Sequence, residues 1–119
     1  FPAGLIDDGE SPEETAVREL LEETGYHGEI VAISPMSLSS PGITAEGVVM
    51  CFMDIEEADE RNRNPVQECE ETERIEVVLK SRDEIPGYLE AEDHAGVALD
   101  SRVVGFFMGI GAIPESWCG

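Results

Sequence analysis

The stretch GLIDDGESPEETAVRELLEETGY, residues 4–26, contains a complete set of signals for one helix. Ser11 is a favourable N-cap, Pro12 suits the first helical position, and Glu14 is placed to close a capping box with Ser11. Gly25 marks the other end, because the residue after a helix commonly adopts a left-handed conformation that glycine tolerates best. The sequence therefore predicts a helix of about three and a half turns between Ser11 and Gly25.

Three glutamates lie on one face of this predicted helix: Glu19, Glu22 and Glu23. At about 100° per residue they fall within an arc of about 100°, and Leu20 lies on the opposite, apolar side. Like charges at this spacing slightly destabilise a helix, so the cluster has two interpretations. One is a solvated acidic face, which the acidic composition favours. The other is a Mg²⁺ site completed by phosphate oxygens of a substrate, with Arg18 beside the face to orient a glutamate.

The same stretch resembles the Nudix box, a pattern of glycine, glutamate and arginine at fixed spacing. All seven fixed positions are matched, by Gly4, Glu10, Arg18, Glu19, Glu22, Glu23 and Gly25. Tyr26 departs from the pattern, which usually has an aliphatic residue there. A match at this many positions is specific even for a glutamate-rich chain. The resemblance also implies that Glu10 is a structural anchor of the loop before the helix.

The resemblance implies a loop, helix and loop that hold Mg²⁺, or Mn²⁺, against a diphosphate joined to another group, with water as the nucleophile. It implies that Glu19 and Glu23 are metal ligands and that the carbonyl of Ala3 is an additional ligand. Glu22 is implied as a further ligand or a catalytic stabiliser, and Arg18 as the residue of the catalytic site that orients a glutamate. These roles are chemically sound, because bound cations neutralise diphosphate oxygens and lower the pKa of bound water.

Other segments resemble the ADP-ribose pyrophosphatase branch of this family: FPAGLIDDGE at the start, SSPGIT with Pro41, and TERIEVV. In that branch a glutamate on a loop after the central strands is often the base that activates water. Glu73, directly before RIEVV, is the best match for this catalytic base. Glu68, Glu70 and Glu71 lie nearby, and each remains an alternative or a solvated loop charge.

The remainder of the chain predicts strands, loops and helices in succession. We expect strands at residues 29–35, 47–56 and 74–79, and loops at residues 36–46 and 57–72. We also expect a helical turn or short helix within residues 82–93, interrupted at Pro86 and Gly87, and a helix at residues 99–113. The segment GVVMCFMDIE at 47–56 is almost continuously apolar, which is typical of a buried central strand. This order predicts an α/β (α+β) layered domain over residues 1–119. The resemblance implies a Nudix-type mixed sheet with flanking helices, incomplete at the N-terminus.

The net charge of the chain limits the classes of partner that it can bind. It has 27 acidic and 7 basic residues and a net charge of −20, and such a surface repels nucleic-acid phosphates and anionic lipids unless cations intervene. We therefore expect neither nucleic-acid nor membrane binding. Three cysteines without paired spacing indicate neither disulfides nor zinc, so we expect a reducing compartment, the cytoplasm or the nucleus.

The chain begins at Phe1 without an initiator methionine, within what looks like the end of a strand. We therefore expect that upstream residues are missing. The resemblance implies that such residues pair two subunits and contact the nucleotide. We accordingly expect a homodimer in the complete protein and a poor enzyme in this chain alone.

The expected function is Mg²⁺-dependent hydrolysis of a small-molecule nucleoside diphosphate derivative, ADP-ribose, to AMP and ribose 5-phosphate. Two alternatives remain open. The substrate can be another nucleoside diphosphate derivative, because substrate choice is expected to lie in the upstream part. The chain can also be a non-catalytic, truncated Nudix-like binding module. Comparing the activity of this chain with that of a version extended upstream separates these alternatives.

Overall fold

A computed structural model describes residues 1–69 and 73–118 of the chain. Within these ranges the helices are α1 (Pro12–Thr24), α2 (Ile85–His94) and α3 (Ser101–Gly109), and the strands are β1 (Glu29–Ile33), β2 (Ser37–Leu38), β3 (Gly47–Val48) and β4 (Cys51–Asp54). Short 3-10 turns lie at Glu60–Asn62 and Glu115–Trp117. The expected α/β class is confirmed, with helices alongside small antiparallel sheets.

The chain divides into two compact units. Residues 2–77 form one unit, and Phe1 together with residues 78–119 forms the other. The first unit contains α1 and all four described strands, and the second contains α2 and α3. The expectation of a single domain stays a prediction.

Helix α1 begins and ends where its sequence signals predict. The Ser11 hydroxyl accepts a hydrogen bond from the Glu14 backbone N–H at 3.2 Å, and the Glu14 carboxylate accepts one from the Ser11 N–H at 2.8 Å. At the other end Gly25 has a φ of +75°, and its N–H donates to the carbonyl of Leu21 at 2.7 Å. The capping box and the glycine stop are both confirmed, because each depends on residues within a few positions of one another.

The four strands form one long hairpin that pairs in two places. Strands β1 and β4 are antiparallel, and so are β2 and β3. Between the two pairs, the Ser34 N–H donates to the Met50 carbonyl and the Met50 N–H donates to the Ser34 hydroxyl, both at 2.9 Å. The loop expected at residues 36–46 is therefore shorter than predicted, because β2 lies inside it.

The expectation of a buried central strand at residues 47–56 is wrong. The segment is split into β3 and β4, and the Phe52 side chain is 45% exposed. A central strand is buried when neighbours flank it and other elements cover both faces. In the described part of the chain β4 has β1 as its strand partner, so its apolar composition alone does not bury it.

The strand expected at residues 74–79 is absent from the described structure, where this segment is irregular. The carbonyl of Ile75 accepts a hydrogen bond from the side-chain amide of Gln67 rather than from a neighbouring strand. The loop expected at 57–72 contains the turn at Glu60–Asn62, and its residues 70–72 lie outside the described ranges. A β-rich composition therefore gives a strand only when a partner edge is available.

Both C-terminal helices are present, and both start later than expected. Helix α2 continues through Pro86 and Gly87, so the interruption expected there is wrong. Pro86 lies in the first turn of the helix, where a backbone N–H has no partner within the helix to lose. Helix α3 replaces the predicted helix at 99–113, and the Asp100 side chain caps it by accepting from the Arg102 N–H at 2.7 Å. Proline and aspartate thus set the starts of these helices as they commonly do.

The buried apolar side chains in the described ranges are few. Leu20 of α1 is buried in the first unit, and Leu89 and Ala112 are buried in the second. Asn62 is also buried, and its side chain bonds to the N–H and the carbonyl of His27 and to the carbonyl of Glu56. A buried amide with several partners joins these segments where apolar contacts are sparse.

In the parts of the chain that the structure describes, no helix combines the length and the apolar character required to cross a bilayer.

The close approach of the chain at Val66 to Gly25 is a testable feature of this fold. Besides its positive φ, a Cβ at Gly25 would collide with the backbone nitrogen of Val66. The control is Gly42, which has a φ of +93° and open space around it. We expect Gly25→Ala to lower the free energy of unfolding clearly more than Gly42→Ala, whose cost is the left-handed strain of about 1–2 kcal/mol. Urea unfolding measures both variants, and equal losses would show that the approach of Val66 is not a constraint.

Candidate active site

Arg18 is the centre of the hydrogen-bond network on the acidic face of α1. Its Nε and Nη2 donate to the two carboxylate oxygens of Glu10, at 2.8 and 2.9 Å. Its Nη1 donates to Glu19 at 2.7 Å and to Glu22 at 3.1 Å. Nη2 also donates to the carbonyl of Leu5 at 3.1 Å. A guanidinium has five N–H groups, so every donor of Arg18 is used.

Glu10 anchors the loop that precedes α1. Besides the bonds from Arg18, its carboxylate accepts from the Thr15 hydroxyl at 2.8 Å and from the Asp7 backbone N–H at 3.3 Å. The bond from Arg18 and then the bond from Thr15 lower the pKa of Glu10 to about 2. Glu10 therefore stays ionised at neutral pH, which agrees with its expected role as a structural anchor.

Gly4 lets the backbone of this loop approach the acidic face. A Cβ at Gly4 would collide with the Glu19 carboxylate, whose side chain is 13% exposed. Glycine therefore leaves room for a carboxylate that a larger residue would displace. This is a physical reason for the first glycine of the motif.

Glu23 is the most buried carboxylate of the face, with 8% of the residue exposed. Burial raises the pKa of Glu23, the hydrogen bond from the Ala3 N–H opposes this rise, and the charges of Glu19 and Glu73 add to it. The Ala3 N–H lies 3.0 Å from Glu23 Oε2. The loop residue expected as a ligand, Ala3, and the residue expected as the base, Glu73, are thus both brought to the end of α1 that carries Glu23.

The oxygen donors of this face suit a divalent cation. Mg²⁺ usually takes one or two carboxylates together with water and phosphate oxygens, and Glu19, Glu22 and Glu23 supply carboxylates of this kind. No group of three or more histidine, cysteine or acidic side chains in the described part of the chain is close enough to hold a metal ion by itself, and Arg18 pairs with two of these glutamates. The ligand set, including Ala3, therefore stays a prediction.

The loop glutamates differ in what they contact. The backbone N–H of Glu68 donates to the carbonyl of Glu22 at 2.8 Å, whereas the charge of Glu73 acts on the carboxylate of Glu23. Glu70 and Glu71 lie outside the described residues. The choice of Glu73 as the base stays a prediction, and its electrostatic influence on Glu23 favours it.

Two bridging side-chain amides of this unit were not identified from the sequence, and one of them, Gln67, contacts the candidate site. Gln67 donates to the carbonyl of Glu23 and to that of Ile75, and Asn62 joins the segments at His27 and Glu56. Their partners are backbone atoms distant in the sequence, so no motif announces them. The local sequence does not distinguish these amides from their neighbours, which include Asn64 as well as basic and acidic residues.

A groove of about 500 Å³ lies elsewhere in the same unit. His27, Asp54, Asp59 and Arg61 are among its lining residues, and none of the predicted site residues lines it. Arg61 already pairs with Asp59 at 2.6 Å. The groove is therefore separate from the acidic face of α1.

Several known proteins are similar to this chain in sequence. The model of the NUDIX domain family matches residues 1–97. An ADP-ribose pyrophosphatase of Saccharomyces cerevisiae is 37% identical over 110 residues, which are 92% of this chain and 48% of that protein. An ADP-sugar pyrophosphatase of Mus musculus is 36% identical over 109 residues, 89% of this chain and 49% of that protein. A Caenorhabditis elegans protein provisionally named nudix hydrolase 2 is 37% identical over 111 residues, 92% of this chain and 50% of that protein.

The chain belongs to the Nudix hydrolase family, since the family model covers most of its length. The resemblance seen in residues 4–26 is thereby confirmed. The chain spans about half the length of the curated relatives that it matches.

Proposed function

We propose that the protein containing this chain is a Mg²⁺-dependent hydrolase that cleaves ADP-ribose to AMP and ribose 5-phosphate. The observation that carries the proposal is the acidic face of α1, where Arg18 orders Glu19 and Glu22 beside the buried Glu23. The names of the yeast and mouse relatives support an ADP-ribose or ADP-sugar substrate. Mn²⁺ is the alternative cation.

The reaction breaks one P–O bond of the diphosphate bridge and forms one P–O bond to the oxygen of water. Glu73 accepts a proton from the attacking water, and the bridging oxygen leaves with the second phosphate product. Mg²⁺, when bound, neutralises negative charge on the diphosphate oxygens. Glu19 and Glu23 would hold the cation, with Glu22 as a further ligand.

Arg18 and Glu10 keep the metal-binding face in place during this reaction. Arg18 restrains two carboxylates through one nitrogen, Nη1, and is itself held by the two oxygens of Glu10. Such fixed partners reduce the reorganisation that a metal ligand needs before it binds. We assign Arg18 a positioning role for this reason.

Two other readings of the site remain. A different nucleoside diphosphate derivative is the first, because a cation held on the acidic face would bind a diphosphate whatever group is attached to it. A non-catalytic binding module is the second. The presence of every glutamate of the motif argues against it, since metal-ion catalysis requires charged ligands that hold the cation.

We also infer that the complete protein is a homodimer in the cytoplasm or the nucleus. Val31, Ile33 and Phe52 of the hairpin are 58%, 43% and 45% exposed, and the core of a subunit interface buries apolar side chains of this kind. Cys51, Cys69 and Cys118 are free, as is usual in reducing compartments.

The proposal is tested by incubating ADP-ribose with Mg²⁺ and the protein and identifying the products by chromatography. We expect AMP and ribose 5-phosphate. Glu19→Gln and Glu23→Gln should lower kcat by about two orders of magnitude or more while α1 persists, because glutamine keeps the volume and loses the charge. The matched control is Glu13→Gln, an exposed position in the first turn of α1.

Equal losses in all three variants would point to general destabilisation and contradict the metal-binding role.

The same assay is run on residues 1–119 and on a version of the chain extended upstream. Turnover by the extended version alone is the expected result. Absence of hydrolysis in both, with substrate bound, would favour the non-catalytic module.

The assignment of the base has its own test. Glu73→Gln should lower kcat by ~10²–10⁴-fold, the range typical of general base catalysis, and Glu68→Gln and Glu70→Gln should have smaller effects. Steady-state kinetics at saturating substrate measures the three variants under the same conditions. If the loop glutamates prove interchangeable, Glu73 is not the base and Glu22 becomes the better candidate.

A further inference from the structure

The side-chain amide of Gln67 connects two segments that both bear on the candidate active site. Its Nε2 donates to the carbonyl of Glu23 at 2.6 Å and to the carbonyl of Ile75 at 3.1 Å. A primary amide has two N–H groups, so both are used. One partner is the backbone of a predicted metal ligand, and the other follows Glu73 by two residues.

The Glu23 carbonyl belongs to the last turn of α1, where carbonyl groups lack partners within the helix. The segment around Gln67 supplies several such partners. The Glu68 N–H donates to the Glu22 carbonyl at 2.8 Å, and the Cys69 thiol lies 3.8 Å from that same oxygen. This segment therefore docks along the end of the helix, and Gln67 extends the contact to residue 75.

We propose that Gln67 is a positioning residue that sets the separation between the metal-ligand end of α1 and the segment bearing Glu73. The proposal deepens the proposed function and rests on it. Gln67 contacts neither substrate nor cation in this role. Its effect on the attacking water is indirect, because it holds the backbone segments that carry Glu23 and Glu73.

A fixed separation is chemically necessary for this reaction. The attacking water has to lie within reach of the base and of the phosphorus at the same time, and a displacement of about 1 Å can cost about 10²-fold in rate. Glu73 and Glu23 are 50 residues apart in the sequence, and local structure does not relate their positions. Gln67 relates these positions, because its side chain is hydrogen-bonded to the carbonyls of Glu23 and Ile75.

The test compares Gln67→Met with Asn62→Leu. Methionine keeps the length of glutamine and removes both donors. Asn62→Leu likewise replaces a bridging amide with an apolar side chain of similar shape, in the same unit but between His27 and Glu56. The control therefore reproduces a loss of stability without breaking the link between Glu23 and Ile75.

The values of kcat, KM and the affinity for Mn²⁺ are measured in the form of the protein that hydrolyses ADP-ribose. Gln67→Met should lower kcat by about tenfold to a hundredfold, with little change in KM or in Mn²⁺ affinity, because the predicted ligands remain. Asn62→Leu should leave kcat near its original value.

The outcomes separate this inference from the proposed function. If the unsubstituted protein is active and Gln67→Met leaves kcat unchanged, the role of Gln67 is overturned and the proposed function stands. Equal losses of kcat in Gln67→Met and Asn62→Leu also overturn it, since the effect is then one of general stability. No hydrolysis by the unsubstituted protein overturns the proposed function, and the positioning role of Gln67 in it as well.

Discussion

The guanidinium of Arg18 joins the loop before α1 to the acidic face of the helix, and the geometry of the face depends on this junction. Its five donors are divided between Glu10, Leu5, Glu19 and Glu22. Without a compensating cation, neighbouring carboxylates on one face repel each other. Arg18 offsets this repulsion and fixes the loop that brings Ala3 to Glu23. Anchoring and charge compensation are thus performed by one side chain.

The C-terminal end of α1 is held by close contacts and hydrogen bonds with residues 66–68. Gly25 permits the approach of Val66, and Gln67 then reaches both Glu23 and Ile75. The candidate site therefore has two supports, an ion-pair network on the side of the preceding loop and a set of hydrogen bonds on the side of the following one. Because few apolar side chains are buried in the described ranges, these polar links contribute much of the order of the site.

The parts of this structure that were predictable depend on local signals. Ser11, Glu14 and Gly25 define α1 by themselves, and helical periodicity places the three glutamates on one face. The predicted strands at 47–56 and 74–79 required partner strands that composition does not reveal. The first segment is divided into two short, partly exposed strands, and the second is irregular. Gln67 could not be identified, because its bond to Glu23 joins residues 44 positions apart.

The central claim is that Arg18 positions the carboxylates that bind the divalent cation. Its most direct test is the affinity for Mn²⁺, measured by electron paramagnetic resonance on the unsubstituted chain and on Arg18→Lys. Lysine keeps the charge but cannot reproduce the planar fork that holds Glu10 and Glu19 together. We expect Mn²⁺ binding about 10–100-fold weaker in the variant, with α1 retained by circular dichroism. Unchanged or tighter Mn²⁺ binding would contradict the account.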